Sequence, residues 1–468
     1  MPWSPSSGCL TGKVPFKRDE TQPRHLRARV LVKWWLGAFR PLLRRGAGRA
    51  IIWLSYVAHA WRLSARTVLR SRLDLSRRRV GFVTLEFFHE DLNGFGGYGK
   101  TVKNLTDALN GEGAGDIADV LITLPAPSGA RLRRYHRADV VFSPGERAGL
   151  LRSGWNTVNH VWLLQRRMLD LLVTIEYYRA YERFLKVLPM TPIVVWIHDP
   201  RPEGDWEKIA TMSLDVDGSK SGAKTEIARV QESIGELLDR SRAMGRRVVF
   251  AHQAACLKVK AKILYRLPSM ESVFLPNPVE VAEETAAKTT EPTICMLGRL
   301  DPIKRPWIFF ELAKRFPAVR FLVAGQTHFP EVMNPIIDRY RGIRNLEFLG
   351  MIGGQEKNAL LQGCWGLVNT SIHEALPVSF LESLAAGTPI VSCQNPDGIT
   401  ERFGWYTGEI RADGVGEDTI QRFEAAISDL LSDRDAVLRK GAQGRHLVGQ
   451  TYSYREFRTR LNAICRDF

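Results

Sequence analysis

Twice along this chain, short apolar runs alternate with amphipathic helical stretches, and this alternation constrains the fold more than any other feature. Strands separated by helices cannot pair as hairpins. They pair in parallel, and the helices cover both faces of the sheet. In the first block the sequence predicts strands at Val80–Leu85, Val120–Leu124, Asp139–Phe142, Pro192–Ile197, Val248–Ala251 and Ser272–Leu275. Val102, Leu105 and Leu109 mark a helix face, and the polar residues 201–245 read as loop plus helix. Val161, Leu164, Met168, Leu171, Ile175 and Tyr178 step by three and four, which predicts one long helix. Residues 279–292, rich in Glu, Ala and Thr, read as an interdomain linker. A second block follows, with strands expected at 293–297, 320–324, 346–349, 365–369 and 389–393, and helices between them and at 417–431. The expected organisation is an arm over 1–79, a doubly wound domain over 80–278, the linker, a second doubly wound domain over 293–450, and a final helix over 451–468.

The formal net charge of +16 sits almost wholly in the arm. Residues 1–79 hold 18 Lys/Arg against 3 Asp/Glu, and the rest of the chain holds 48 against 47. A near-neutral body with a basic arm is not a protein that coats nucleic acid, and no nucleic-acid partner is expected. Within the arm, Arg29, Lys33, Arg40 and Arg44 recur at helical spacing opposite Leu31, Trp35, Ala38 and Leu42, and Pro41 should kink or end that helix. A second pattern sets Ile51, Leu54, Ala58, Trp61 and Ala65 beside a stripe of Arg62, Arg66 and Arg70. Two such faces suit an anionic membrane surface through residues 26–72. A solvated extension, or an apolar face packed on the first domain, is the alternative. The longest uncharged apolar stretch, Ala50–Trp61, is too short to span a bilayer and too deep in the chain for an ordinary signal peptide. The six cysteines form no CxxC pair, which argues against a disulfide framework or a zinc site and fits a reducing compartment.

Ligands of open parallel sheets bind beyond the carboxyl ends of the strands, so the strand-to-helix junctions carry the chemistry. After the strand ending at Asn369 the chain reads Thr-Ser-Ile-His-Glu374-Ala-Leu-Pro377-Val-Ser-Phe-Leu-Glu382-Ser-Leu-Ala-Ala-Gly387. Pro377 suits the first helical position and Gly387 the residue after the helix. The free amides of that helix's N-terminus form an anion site, and the neighbouring Glu374 reads either as an acceptor for sugar hydroxyls or as a glutamate favourable to the helix dipole, with Glu382 solvated. After the strand at 293–297 come Gly298, Arg299 and Lys304. Gly298 allows close backbone approach, and the two cations at another helix start read either as a site for a bound phosphate or as two solvated surface charges. Asn93 to Lys100 holds four glycines before a helix, without the Walker spacing. His198 follows the strand at 192–197. No set of His, Cys or carboxylates has metal-site spacing, and no GxSxG elbow occurs.

Glu374-x7-Glu382, within Glu-Ala-Leu-Pro-Val-Ser-Phe-Leu-Glu-Ser-Leu-Ala-Ala-Gly-Thr-Pro-Ile-Val, resembles the EGFP(x)4EAxAxGxPVV signature of retaining glycosyltransferase family 4, among the glycosyl transferases of group 1 with the GT-B fold. Gly-Arg-Leu-Asp-Pro-Ile-Lys, Phe321-Leu-Val-Ala-Gly325, Phe348-Leu-Gly350, Pro276-Asn277 and Gly96-Gly97 also match in order, so the resemblance covers about residues 80–468. It implies two Rossmann-like domains facing a cleft, with the helix around Tyr454 to Cys465 crossing back to the first. It also implies transfer of a hexose from a nucleotide diphosphate sugar, with retention, to a saccharide or lipid-linked acceptor, as in cell-envelope polysaccharide or glycolipid synthesis. Arg299 and Lys304 would hold the diphosphate and stabilise the leaving nucleotide, helped by Gly298 and by the helix start at Leu376, Pro377, Val378 and Ser379, where all but Pro377 offer a backbone N–H. Glu374 would hold donor-sugar hydroxyls, Glu382 the ribose, and Gly350 to Ile352 the base. His198 would contact the donor sugar from across the cleft, and Gly96 and Gly97 would approach the phosphates or acceptor. The resemblance further implies front-face attack without a protein nucleophile, and no metal and no cofactor beyond the donor. The arm lies outside the resemblance; its own basic and apolar faces suit a cytoplasmic enzyme peripheral on the inner face of the cell membrane.

Ala375 departs from the family's usual glycine after the first glutamate, and its methyl group tightens the donor-sugar loop. Asp199 and Arg201 gain no role from the resemblance. Two other readings are separable. A catalytically dead scaffold would bind no nucleotide sugar, and an inverting transferase or an epimerase would be distinguished by the configuration of its product.

Overall fold

The computed structural model describes residues 78–468, apart from 90–91, 93–95, 111–116, 126–131, 144–163, 165–166, 217 and 284–285. The arm's helices and its membrane surface over 26–72 lie outside the described residues.

Among the described residues, fourteen strands form two sheets. The first contains β1 (Arg78–Val83), β2 (Ile117–Pro125), β3 (Arg134–Tyr135), β4 (Ala138–Ser143), β5 (Leu171–Ile175), β6 (Ile193–Ile197), β7 (Val248–His252) and β8 (Ser272–Phe274), in the order β3-β4-β2-β1-β5-β6-β7-β8. The second contains β9 (Thr293–Leu297), β10 (Arg320–Ala324), β11 (Leu346–Gly350), β12 (Gly366–Asn369), β13 (Ile390–Ser392) and β14 (Gly404–Tyr406), in the order β11-β10-β9-β12-β13-β14. Every pairing is parallel except β3 with β4. Each sheet therefore ends with all its main strands aimed at one edge. This is the GT-B architecture, two parallel-sheet domains with helices on both faces.

The long helix expected from Val161 to Tyr178 is overturned. Leu171–Ile175 is a strand, paired between β1 and β6 with all five residues buried. Met168 just before it has φ +48°, which no helix tolerates. A strand buried on both faces is apolar at every position, so it also satisfies a three-and-four spacing. Here the β-branched Val173, Thr174 and Ile175 decide for the strand. The short strands β3 and β14 were not expected.

The segment after β8 joins both units. Val279 N–H donates to Tyr452 O at 2.9 Å, while the Trp365 indole donates to Thr289 O at 2.9 Å. The final helix, Tyr454–Arg466, packs on helix Gly97–Asn110 of the first domain. Phe457 stacks on Trp196 with centroids 5.8 Å apart, and Leu461 and Ile464 are buried in the same core. Each such side chain contributes about 2 kcal/mol by leaving water. Arg458 adds a hydrogen bond to Ala108 O at 2.9 Å.

Candidate active site

The carboxyl ends of the two sheets face each other across a cleft of about 940 Å³. Its second-domain wall is set by two loops locked together by Arg305. This residue has φ +45°, is fully buried, and donates to carbonyls of both loops and to Cys393 Sγ. Its guanidinium donates to Thr370 O at 2.8 Å, Ser371 O at 3.2 Å and Ala412 O at 2.9 Å. Thr370 Oγ1 returns a hydrogen bond to Lys304 O at 2.7 Å. The loop after β9 is thereby fixed against the loop after β12, and Lys304 Nζ meets Glu374 Oε1 at 2.6 Å.

Glu374 is nearly buried, and Asn369 Nδ2 (3.0 Å) and Ser371 Oγ (2.6 Å) donate to the same oxygen that takes Lys304. Burial pushes its carboxyl up, but Lys304 and these two donors outweigh burial and hold it below the usual range. All three bonds fall on Oε1, which leaves Oε2 as the oxygen with acceptor capacity for a ligand. Pro377 caps helix Val378–Ala385 from just outside, one residue before the position expected for it, and Gly387 (φ +71°) ends the helix. Leu376, Pro377, Val378 and Ser379 all line the cleft at that helix's start.

Arg299 also lines the cleft, with its side chain 36% exposed. It is held by Asp301 Oδ2 at 3.3 Å and by His328 Nδ1 at 3.3 Å. Its loop depends on a close glycine pair. Gly325, with φ +151°, packs so tightly that a Cβ there would sit 1.7 Å from Gly298 O. Gly325 N–H in turn donates to Gly350 O at 2.7 Å, and Ile352 lines the cleft beyond.

Glu382 is buried between two lysines. Lys357 Nζ lies 2.5 Å from its Oε1, and Lys100 Nζ reaches the same oxygen at 3.3 Å from the first domain. Burial raises this carboxyl, and the two ammonium groups more than reverse that. Burial lowers the Lys100 ammonium. Neither lysine was singled out in the sequence, because nothing in its local pattern shows that Lys100 lies opposite Glu382. A buried carboxylate between two cations is an ionic cluster rather than a solvated surface group.

Across the cleft, Gly96 and Gly97 open helix Gly97–Asn110. A Cβ at Gly96 would lie 2.1 Å from Glu86 Oε2, and that oxygen accepts the Gly99 N–H at 3.3 Å. The glycine at 96 therefore makes room for the chain's own carboxylate at this helix start. Gly97 has open space around it. His198 follows β6, is 3% exposed and packs against Trp196 and Tyr98. Glu176, itself at φ +57°, accepts the N–H groups of His198 (2.9 Å) and Asp199 (2.8 Å), fixing the loop that carries them.

Asp199 bridges the cleft. It takes Arg201 at 2.8 Å and His373 Nε2 of the second domain at 2.8 Å. Asp397 of the second domain reciprocates by accepting the amides of Ala255 (2.6 Å) and Cys256 (2.8 Å) at the start of a first-domain helix. The domains are thus held face to face by Lys100–Glu382, Asp199–His373 and Asp397. No group of three or more His, Cys, Asp or Glu that could hold a metal ion occurs among the described residues, and no described helix is long and apolar enough to cross a membrane.

His198 has a thermodynamic consequence. Burial pushes its imidazole down to about 3, only partly opposed by Asp199. In the unfolded chain it titrates near ~6.5. The unfolded state therefore gains a proton first as pH falls, and stability is lost from about pH 6.5 downward. The expected contribution is about 2 kcal/mol at pH 5 relative to pH 7. Urea denaturation at the two pH values should show His198→Asn losing less stability on acidification than the parent chain. Equal losses would contradict a buried neutral ring.

Residues 280–446 match the family described as glycosyl transferases group 1. Among solved structures, the chain resembles sucrose-phosphate synthase from Thermosynechococcus elongatus at 14% identity and a TM-score of 0.62, covering 84% of this chain and 99% of that one. It also resembles HepE from Anabaena, solved with UDP and glucose, at 13% identity and a TM-score of 0.59, covering 84% of this chain and all of that one. At such identities the likeness is one of fold. A curated relative, the alpha-1,3/1,6-mannosyltransferase ALG2 of Dictyostelium discoideum, is 25% identical over 119 residues, which is 25% of this chain and 27% of that protein.

Proposed function

We propose that this chain, which carries a group 1 glycosyl transferase domain in a GT-B fold, moves a hexosyl group from a nucleotide diphosphate sugar to a hydroxyl acceptor with retention of configuration. The observation that carries the reading is the Lys304–Glu374 pair beside Arg299 and a helix start. It sets cations where a diphosphate would lie and an acceptor oxygen, Glu374 Oε2, where sugar hydroxyls would lie. Preorganised cations of this kind stabilise charge that grows on the leaving group. In the proposed step the bond from the anomeric carbon to the diphosphate oxygen breaks as the acceptor oxygen bonds to that carbon from the same face. The departing phosphate takes the acceptor's proton. Glu382 would hold the ribose, exchanging part of its contact with Lys357 and Lys100 for ribose hydroxyls. HepE, solved with UDP and glucose, supports a nucleotide-sugar donor by likeness of fold.

The test is turnover. Supplied with a matching donor and acceptor, the purified chain should release nucleoside diphosphate. NMR of the product should show the anomeric configuration of the donor. An inverted product would overturn retention, and hydrolysis or epimerisation in place of transfer would overturn the reaction class.

We also propose that residues 26–72 hold the enzyme on an anionic membrane, where a lipid-linked acceptor of cell-envelope synthesis would be found. The basic stripe of Arg62, Arg66 and Arg70 supports this. Reversing these three charges to glutamate in the full chain should abolish co-sedimentation with phosphatidylglycerol vesicles. Unchanged sedimentation would contradict it.

A further inference from the structure

Two polar atoms in the first-domain wall of the cleft have no hydrogen-bond partner among the described residues: His198 Nε2 and Gln253 Oε1. Both residues line the cleft, and they are only 3% and 2% exposed. A buried polar atom left unpaired costs about 1–3 kcal/mol, so an adjacent pair of them calls for an explanation.

The geometry fixes which way each group points. Gln253 Nε2 lies 3.3 Å from the backbone oxygen of His198 and 3.2 Å from His198 Nδ1. A carbonyl oxygen can only accept, so the amide atom that faces it is the NH₂ group; the reversed amide would set Oε1 against that carbonyl oxygen. The same NH₂ faces Nδ1, so Nδ1 accepts and carries no proton. The proton of the neutral ring then sits on Nε2. An imidazolium would set Nδ1–H against N–H, which disfavours the charged ring. The cleft is therefore offered one donor, His198 Nε2–H, and one acceptor, Gln253 Oε1.

We propose that Gln253 is a positioning residue that holds His198 as an Nε2–H donor, and that its own Oε1 completes a donor–acceptor pair reading the hydroxyl groups of a sugar. A hydroxyl both donates and accepts, so sugar hydroxyls match the pair, whereas a phosphate, which only accepts when ionised, would leave Gln253 Oε1 unsatisfied. The sugar part rests on the transferase reading above. The tautomer part does not.

The experiment uses the full chain labelled with ¹⁵N-histidine, with the His198 signals assigned by their loss in His198→Asn. Long-range ¹H–¹⁵N spectra at pH 7 should show His198 with a bare Nδ1 and a protonated Nε2. In Gln253→Glu the carboxylate demands a proton on Nδ1, so the spectra should show Nδ1–H and titration at a higher pH than in the parent. Gln253→Glu should also lower kcat/KM by about 10- to 100-fold, the loss of one or two buried hydrogen bonds. A raised KM for the nucleotide sugar assigns the pair to the donor sugar, and a raised KM for the acceptor assigns it to the acceptor. A parent spectrum with Nδ1–H, or a Gln253→Glu spectrum unchanged from the parent, overturns the proposal. If no nucleotide sugar is turned over, the transferase reading falls, while the spectra still decide the role of Gln253.

Discussion

Lys304→Ala is expected to be the most damaging single substitution, lowering kcat/KM by about 10³-fold and destabilising the fold by about 3 kcal/mol. The two effects have separate causes. Activity falls because, in the proposed site, the cation that would face the leaving diphosphate is gone. Stability falls because Glu374, whose side chain is 8% exposed, loses its counter-ion at 2.6 Å and becomes an unpaired buried carboxylate, with only Asn369 and Ser371 left to satisfy it. The double variant Lys304→Ala/Glu374→Gln removes the unpaired charge as well. It should regain most of the stability in urea denaturation while remaining as inactive as the single variant. Lys304→Ala with activity within tenfold of the parent would remove Lys304 from the diphosphate site.

Arg299→Ala should lower kcat by about 10²- to 10³-fold and cost less stability than Lys304→Ala. The Arg299 side chain is more than a third exposed, and although its partner Asp301 is only 3% exposed, that pair is the longer one, at 3.3 Å. Its partner Asp301 keeps its hydrogen bonds from His328 N–H at 2.8 Å and Thr327 Oγ1 at 3.2 Å. Arg299→Lys should restore only part of the rate, since an ammonium would replace the planar fork that, in the proposed site, would grip two phosphate oxygens. Full activity in Arg299→Ala with a verified donor would show that the site has been assigned to the wrong cations.

What the sequence made legible follows a physical rule: features encoded within one strand-to-helix junction could be read, and features made by two distant segments could not. The spacing of Glu374 and Glu382, with Pro377 and Gly387 around one helix, is local, and so is Gly298-Arg299 after β9. The partners of these residues are not local. Lys100 reaches Glu382 from a helix of the other domain, and nothing around either residue announces the meeting. Arg305 stands in a Lys-Arg-Pro run where nothing local marks it for burial, yet it is fully buried as the clamp between two loops. Gln253 and Asp199 gain meaning only when β7 and the His373 loop are brought beside the loop after β6. β5 was misread for a different reason. A strand apolar on both faces has no period of its own, and Leu171–Ile175 satisfies the helix and strand patterns equally until its neighbours β1 and β6 are known.

Links between the domains include Lys100–Glu382, Asp199–His373, Asp397 with the amides of Ala255 and Cys256, Ser213 N–H with Asp413, and Ala412 N–H with Thr211. The first two start from residues directly involved in, or adjacent to, the proposed donor contacts, since His373 precedes Glu374 and Glu382 is the ribose candidate. A donor that engages these glutamates therefore acts on the contacts that hold the two domains together.

The central claim is that the cleft binds a nucleotide diphosphate sugar through Arg299, Lys304, Glu374 and Glu382. Isothermal titration of the full chain with nucleoside diphosphates and their sugars tests it most directly. The account predicts saturable one-to-one binding of at least one such ligand, weakened at least tenfold in both Arg299→Ala and Lys304→Ala. Absence of binding by every nucleoside diphosphate and nucleotide sugar, or binding that both variants leave untouched, would contradict it.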